Sequence, residues 1–189
     1  MKKKLFVVLV LVMAVILSAC GNDSDTGASS ANFNDPDVEF AQGMIPHHRQ
    51  AVEMAELAET RAASAEVKEL AAAIQGAQDP EIQTMEGWLK DWDKPLPDEG
   101  MSGMDHGSTG DDSMPGMMST DDMESMSKAS GTEFDKMFLS MMITHHEGAI
   151  EMAESEITNG TNADAITLAK QIKDAQTGEI ATMTNLLKQ

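Results

Sequence analysis

Met44-Ile45-Pro46-His47-His48-Arg49-Gln50-Ala51-Val52-Glu53-Met54-Ala55-Glu56 is matched, 98 positions on, by Met142-Ile143-Thr144-His145-His146-Glu147-Gly148-Ala149-Ile150-Glu151-Met152-Ala153-Glu154. These two stretches hold four of the five histidines in the chain. The correspondence continues without a gap over residues 37 to 90: Phe40 maps onto Phe138, Leu70 onto Leu168, Ile74 onto Ile172, Gln78 onto Gln176, Glu81 onto Glu179, Met85 onto Met183 and Leu89 onto Leu187. Within each copy the apolar residues recur at helical spacing. Phe40, Met44, Ala51, Ala55 and Ala58 share one face, with Glu53 and Glu56 pointing away. A second stripe runs through Leu70, Ala71, Ile74, Ile82, Met85 and Leu89. Each copy therefore reads as a helical hairpin with one apolar face, and two such faces pair into an all-α four-helix bundle. One hairpin of about 55 residues would bury too little surface to stand alone.

The boundaries follow from local signals. Asp35-Pro36 predicts a helix start, and Pro46 a kink or late start just before the first histidine pair. A turn near residues 62–65 and the breaker Lys94-Pro95-Leu96-Pro97 bound the second helix, giving a first hairpin at 35–93. Thr132 with Asp135 predicts a capping box for a third helix over about 133–157. Asn159-Gly160-Thr161-Asn162 predicts a turn and a new cap for a fourth helix reaching Leu187, so the second hairpin spans 132–189. The intervening 94–131 segment has Gly, Ser and Asp without apolar periodicity from residue 98 on, and predicts a disordered linker rich in methionine.

Lys2–Lys4, the apolar run Leu5–Leu17 and the closing Leu17-Ser18-Ala19-Cys20 resemble the lipobox of bacterial lipoproteins. That resemblance implies a signal peptide at 1–19, lipidation of Cys20 and a flexible tether over 20–34, holding the domain to a membrane outside the cytoplasm. Cys20 is the only cysteine, so no intramolecular disulfide is available. A net charge of −19 disfavours nucleic acid as a partner and concentrates cations around the surface. No nucleophile triad, phosphate loop or dinucleotide fingerprint occurs, and an enzyme is not expected.

The candidate site is a metal centre. At about 100° per residue His47, His48, His145 and His146 flank the inward stripes, with methionines one turn away. Ferritin-like di-iron bundles use Glu-x-x-His, whereas this chain has Met44-x-x-His47 and Met142-x-x-His145. A thioether in place of a carboxylate shifts preference toward copper, as Cu(I) through sulfur and as Cu(II) through imidazole, ahead of iron or zinc. The expected ligands are His47, His48, His145 and His146, supported by Met44, Met54, Met142 and Met152. Gln78, Glu81, Gln176 and Glu179 interrupt the partner stripes, where they would hold the imidazoles from behind. In the linker, Met101, Met104, Met114, Met117, Met118, Met123 and Met126, with His106, include three Met-x-x-Met pairs. These are similar to the methionine motifs of extracytoplasmic copper proteins, and imply a lower-affinity collecting arm. Two other readings stand beside this one: a ferritin-like redox protein with iron bridged by Glu81 and Glu179, and a metal-free envelope module whose histidines only hydrogen-bond.

The paired His-His blocks, with Gln78-x-x-Glu81-Ile82-x-x-Met85-x-x-Trp88-Leu89 and its copy Gln176-x-x-Glu179-Ile180-x-x-Met183-x-x-Leu186-Leu187, resemble the bacterial family called domain of unknown function 305. The resemblance covers about 35–92 and 132–188. It implies a ferritin-like fold, export from the cytoplasm, and an association of some members with copper binding and tolerance, with other envelope copper-handling proteins as partners.

Overall fold

The structure is a computed structural model that describes residues 32–98 and 114–189. The expected signal peptide at 1–19, Cys20, most of the expected tether, and Met101, Met104 and His106 lie outside the described residues. Four long helices carry the fold: α1 (Asp35–Arg61), α2 (Ala65–Asp91), α4 (Gly131–Asn159) and α5 (Ala163–Leu186), with a short α3 (Thr120–Lys128) between the halves. Among the described residues the only β pairing is an isolated Ala62–Gly131 bridge, and no helix is long and apolar enough to cross a membrane.

Helix starts follow capping chemistry, at positions slightly displaced from expectation. Asn34, not Asp35, caps α1: its side chain accepts from Asp37 N while its own N–H donates to Asp37 Oδ2. Pro46 neither ends nor delays α1, which is continuous through it. The Thr132–Asp135 capping box is absent. α4 begins after Ser130 with no side-chain cap, because Asp135 is used elsewhere. Asn162 does cap α5, accepting from the N–H groups of Asp164 and Ala165.

Asp135 and its repeat partner Asp37 explain why the hairpins interlock. Asp37 accepts from the backbone N–H groups of Thr161 and Asn162, at the turn between α4 and α5. Asp135 accepts from Ala63 and Ser64, at the turn between α1 and α2, with both bonds 3.0 Å. Each hairpin thus satisfies the backbone donors at the other's turn. The ties also set α1 and α4 antiparallel, the start of each beside the end of the other. α1 packs on α2, α4 on α5, and α1 on α4, so α1 and α4 form the central seam. Apolar clusters fill both ends: Ile74, Phe134, Phe138 and Met183 in one, Phe40, Met85, Leu89 and Ile172 in the other.

The linker departs furthest from expectation. Residues 114–131 are ordered against the bundle: Ser119 and Asp122 form a capping box for α3, and Met126 is fully buried in the first cluster. Met118 and Met123 pack against that cluster as well. Three linker methionines therefore serve as apolar anchors, a role the lack of periodicity concealed.

Candidate metal centre

His47 and His145, equivalent positions of the repeat, meet at the middle of the α1–α4 seam with ring centroids 3.8 Å apart. His146 lies beside them, 6.4 Å from His145 by centroid, and all four histidines are fully buried. Small Ala51 and Ala149, also fully buried, keep the central helices close here.

The ring nitrogens divide into held and unheld. His48 Nε2 donates to Glu81 Oε2 at 2.7 Å, and its repeat partner His146 Nε2 donates to Glu179 Oε2 at 2.6 Å. His47 Nε2 donates to the Pro115 carbonyl at 3.0 Å. A carbonyl or a carboxylate takes a proton-bearing nitrogen, so in the neutral form of each of these rings Nδ1 is the lone pair. Those three Nδ1 atoms have no hydrogen-bond partner, and neither ring nitrogen of His145 has one. Burial, reinforced by the neighbouring His48, pushes the His47 pKa down to about 3, although the Pro115 bond opposes the shift. Burial, reinforced by the neighbouring His47, His146 and His48, holds His145 well below the ordinary histidine range. Both rings are neutral at physiological pH and present lone pairs with no proton to displace.

The remaining expected residues are more scattered. Met44 lies fully buried in one apolar cluster, Met54 and Met142 in the other, while Met152 is half-buried beside Gly43. Gln78 and Gln176 are buried with Oε1 unpartnered and hydrogen-bond to none of the imidazoles. Among the described residues no three His, Cys, Asp or Glu side chains converge into a cage sufficient for a metal ion. The donor set at the centre is imidazole nitrogen, with sulfur on the same helices.

A strap missing from the sequence-based expectation crosses the seam. Met114–Met118 lies over α1 and α4, with Met118 N donating to Gln50 Oε1 at 2.8 Å and Gln50 Nε2 donating to Met118 O at 2.9 Å. Gly148 makes the seat, since a Cβ there would stand 2.0 Å from the Pro115 oxygen. Gly116, at φ +75°, passes so close to Thr144 that a Cβ would lie 2.5 Å from its carbonyl oxygen. Arg49 holds the other linker end, pairing with Glu86 at 2.8 Å and donating to Pro97 O at 3.3 Å. The signal was present in the repeat. The positions where the two blocks differ most, Pro46 against Thr144, Arg49 against Glu147 and Gln50 against Gly148, include those that receive the linker.

Comparison with known proteins fits this geometry. The family model described as "Domain of unknown function (DUF305)" matches residues 37–187. No curated protein matches the chain. Among solved structures, a DUF305 protein from Streptomyces coelicolor thought to be secreted aligns with a TM-score of 0.71 at 29% identity, covering 85% of this chain and 94% of its own. A DUF305 fragment from Deinococcus radiodurans aligns at 0.71 and 32%, covering 82% and 97%. CopM in its Cu(II)-bound form aligns at 0.67 and 34%, covering 80% and 95%, and CopM has also been solved with Cu(I) and with silver. With a family model spanning both hairpins and relatives that share the whole bundle, the chain belongs to the DUF305 family.

Proposed function

We propose that the chain is an exported, lipid-anchored copper-binding protein that sequesters copper, or hands it on, at the His47–His145 centre. One observation carries the reading: five imidazole nitrogens without hydrogen-bond partners, buried at the meeting point of the repeat. An unpaired buried polar atom costs about 1–3 kcal/mol, and a whole domain is stable by only about 5–15 kcal/mol. A bound ion engaging the lone pairs, one on each neutral ring, would relieve most of that cost.

The chemistry of the donors favours copper. Glu81 behind His48 and Glu179 behind His146 supply the carboxylate–histidine arrangement that orients an imidazole toward a metal and raises its basicity. The Pro115 carbonyl does the same for His47. Imidazoles at the centre with thioethers on the same helices form a donor set that suits Cu(I) better than iron or zinc. Copper-bound CopM at 34% identity supports the same metal class. Export and lipidation are proposed from the N-terminal segment ending at Cys20, and the partners proposed with them are other copper-handling proteins of the envelope.

Competition titration with Cu(I) against a chelator tests the proposal. Replacing His47, His48, His145 and His146 together by Ala should weaken the tightest site more than 100-fold. Unchanged affinity would refute it. Copper at 100 times its Kd should also stabilise the native chain by about 2.7 kcal/mol, and an unmoved melting temperature would favour the metal-free reading.

A further inference from the structure

We infer that Met114 and Met152 form a separate outer site for a soft monovalent ion, Cu(I) or Ag(I), at the open end of the strap. Met114 comes from the strap and Met152 from α4, far apart in sequence, yet both sulfurs converge over one residue of α1. The point that a Cβ on Gly43 would occupy lies 3.7 Å from Met152 Sδ and 3.9 Å from Met114 Sδ. The missing side chain of Gly43 leaves the space that the two thioethers share.

Three features distinguish this pair from core methionines. Met44, Met54, Met85, Met126, Met142 and Met183 are fully buried, whereas Met114 and Met152 are both half-buried and accessible to an arriving ion. Met152 also lines a surface groove of about 460 Å³ whose walls carry Glu39 and Glu156. The exposed Glu39 carboxylate on that groove raises the local concentration of cations, while two thioethers select the soft ones. Finally, the pair adjoins the histidine centre along both helices. His47 follows Gly43 by one turn of α1, and Met152 follows by one turn the Gly148 that seats Pro115, the acceptor for His47. The outer site thus lies at the entrance to the inner one, and this placement as an entrance, though not the site itself, rests on the copper-binding reading above.

Silver, which has no competing redox chemistry under these conditions, is the probe. The purified protein, labelled with ¹³C at the methionine methyl groups and ¹⁵N at the histidine rings, is titrated with Ag(I). The Met114 and Met152 methyl signals should shift together, and Met114→Leu or Met152→Leu should each remove one equivalent of bound silver. Leucine retains the apolar volume, and circular dichroism with an unchanged His47 ring signal verifies that the strap remains docked. Silent Met114 and Met152 signals, or unchanged stoichiometry in both variants, would overturn the outer site and leave the pair as packing. A response from these methyls without one from the His rings would uphold the outer site and sink the inner one.

Discussion

Gly148→Ala probes how tightly the strap is bound to the histidine seam. On an isolated helix the change should stabilise α4 by about 1 kcal/mol, since alanine is the better helix former. In the bundle the new methyl would stand 2.0 Å from Pro115 O, 2.3 Å from Pro115 C and 2.7 Å from Gly116 N. All three are backbone atoms, so no rotamer change relieves the clash and the strap must lift. Lifting it breaks the His47–Pro115 bond and both Gln50–Met118 bonds. At about 0.5–1.5 kcal/mol each, these amount to roughly 2–4 kcal/mol, leaving a net loss of about 1–3 kcal/mol after the helix gain. For a chain of this size that corresponds to a fall in Tm of roughly 2–12 °C. Thermal denaturation measures the fall, and ¹⁵N spectra of the His47 ring report whether Nε2 keeps its proton against Pro115. A raised Tm with an unchanged His47 ring would refute the reasoning, because the variant would then show only the helix-propensity term.

Two further predictions concern carboxylates. Glu156 is buried where the first repeat has Ala58, and its pKa is pushed up to about 8 by burial, with the neighbouring Asp37 carboxylate adding to the shift. Its unfolded value is near 4.5, so the native state holds the extra proton between pH 4.5 and 8, and stability should fall as pH rises through that window. The slope attributable to this group should stay below the limiting ~1.4 kcal/mol per pH unit, because water in the adjoining groove screens it. Glu156→Gln should flatten the profile, and denaturation curves at pH 5 and 8 that differ as much in the variant as in the wild type would disprove the assignment. Glu81→Gln with Glu179→Gln should leave the fold intact yet lower Cu(I) affinity about 10–100-fold, since each glutamate orients a histidine that would bind the metal. Equal affinity in a chelator competition would show that these carboxylates only fill hydrogen-bonding needs.

Much of the architecture was readable because it is repetitive. A gapless correspondence from Phe40 to Leu89 gave two hairpins, and the helical phase of His47 and His145 placed them on facing stripes. Glu81 and Glu179 were legible for the same reason, one polar residue interrupting an apolar stripe opposite each histidine pair. The strap was not legible, because its binding is backbone chemistry: a carbonyl of Pro115, the main chain of Met118, and the absence of a side chain at Gly148 and Gly116. None of these leaves an apolar period. Asp135 was misread for a related reason, since its spacing from Thr132 imitates a capping box while its true partners, Ala63 and Ser64, are more than 70 positions away. Pro46 reads as a disturbance of α1, yet the helix is continuous through it.

The reciprocal ties of Asp37 and Asp135 bear on how such a chain could arise. The Asp37 tie and the Asp135 tie are the same contact with the roles exchanged, so a single hairpin would carry both an aspartate and the turn that another copy's aspartate needs. Two separate copies of an ancestral hairpin could therefore have assembled about a two-fold axis, already bringing one histidine pair from each chain to it. Fusion of the genes would then have left one chain free to diverge at the seam. Gln50 and Gly148, once the same position, now do different work on opposite sides of a strap that only the fused chain possesses.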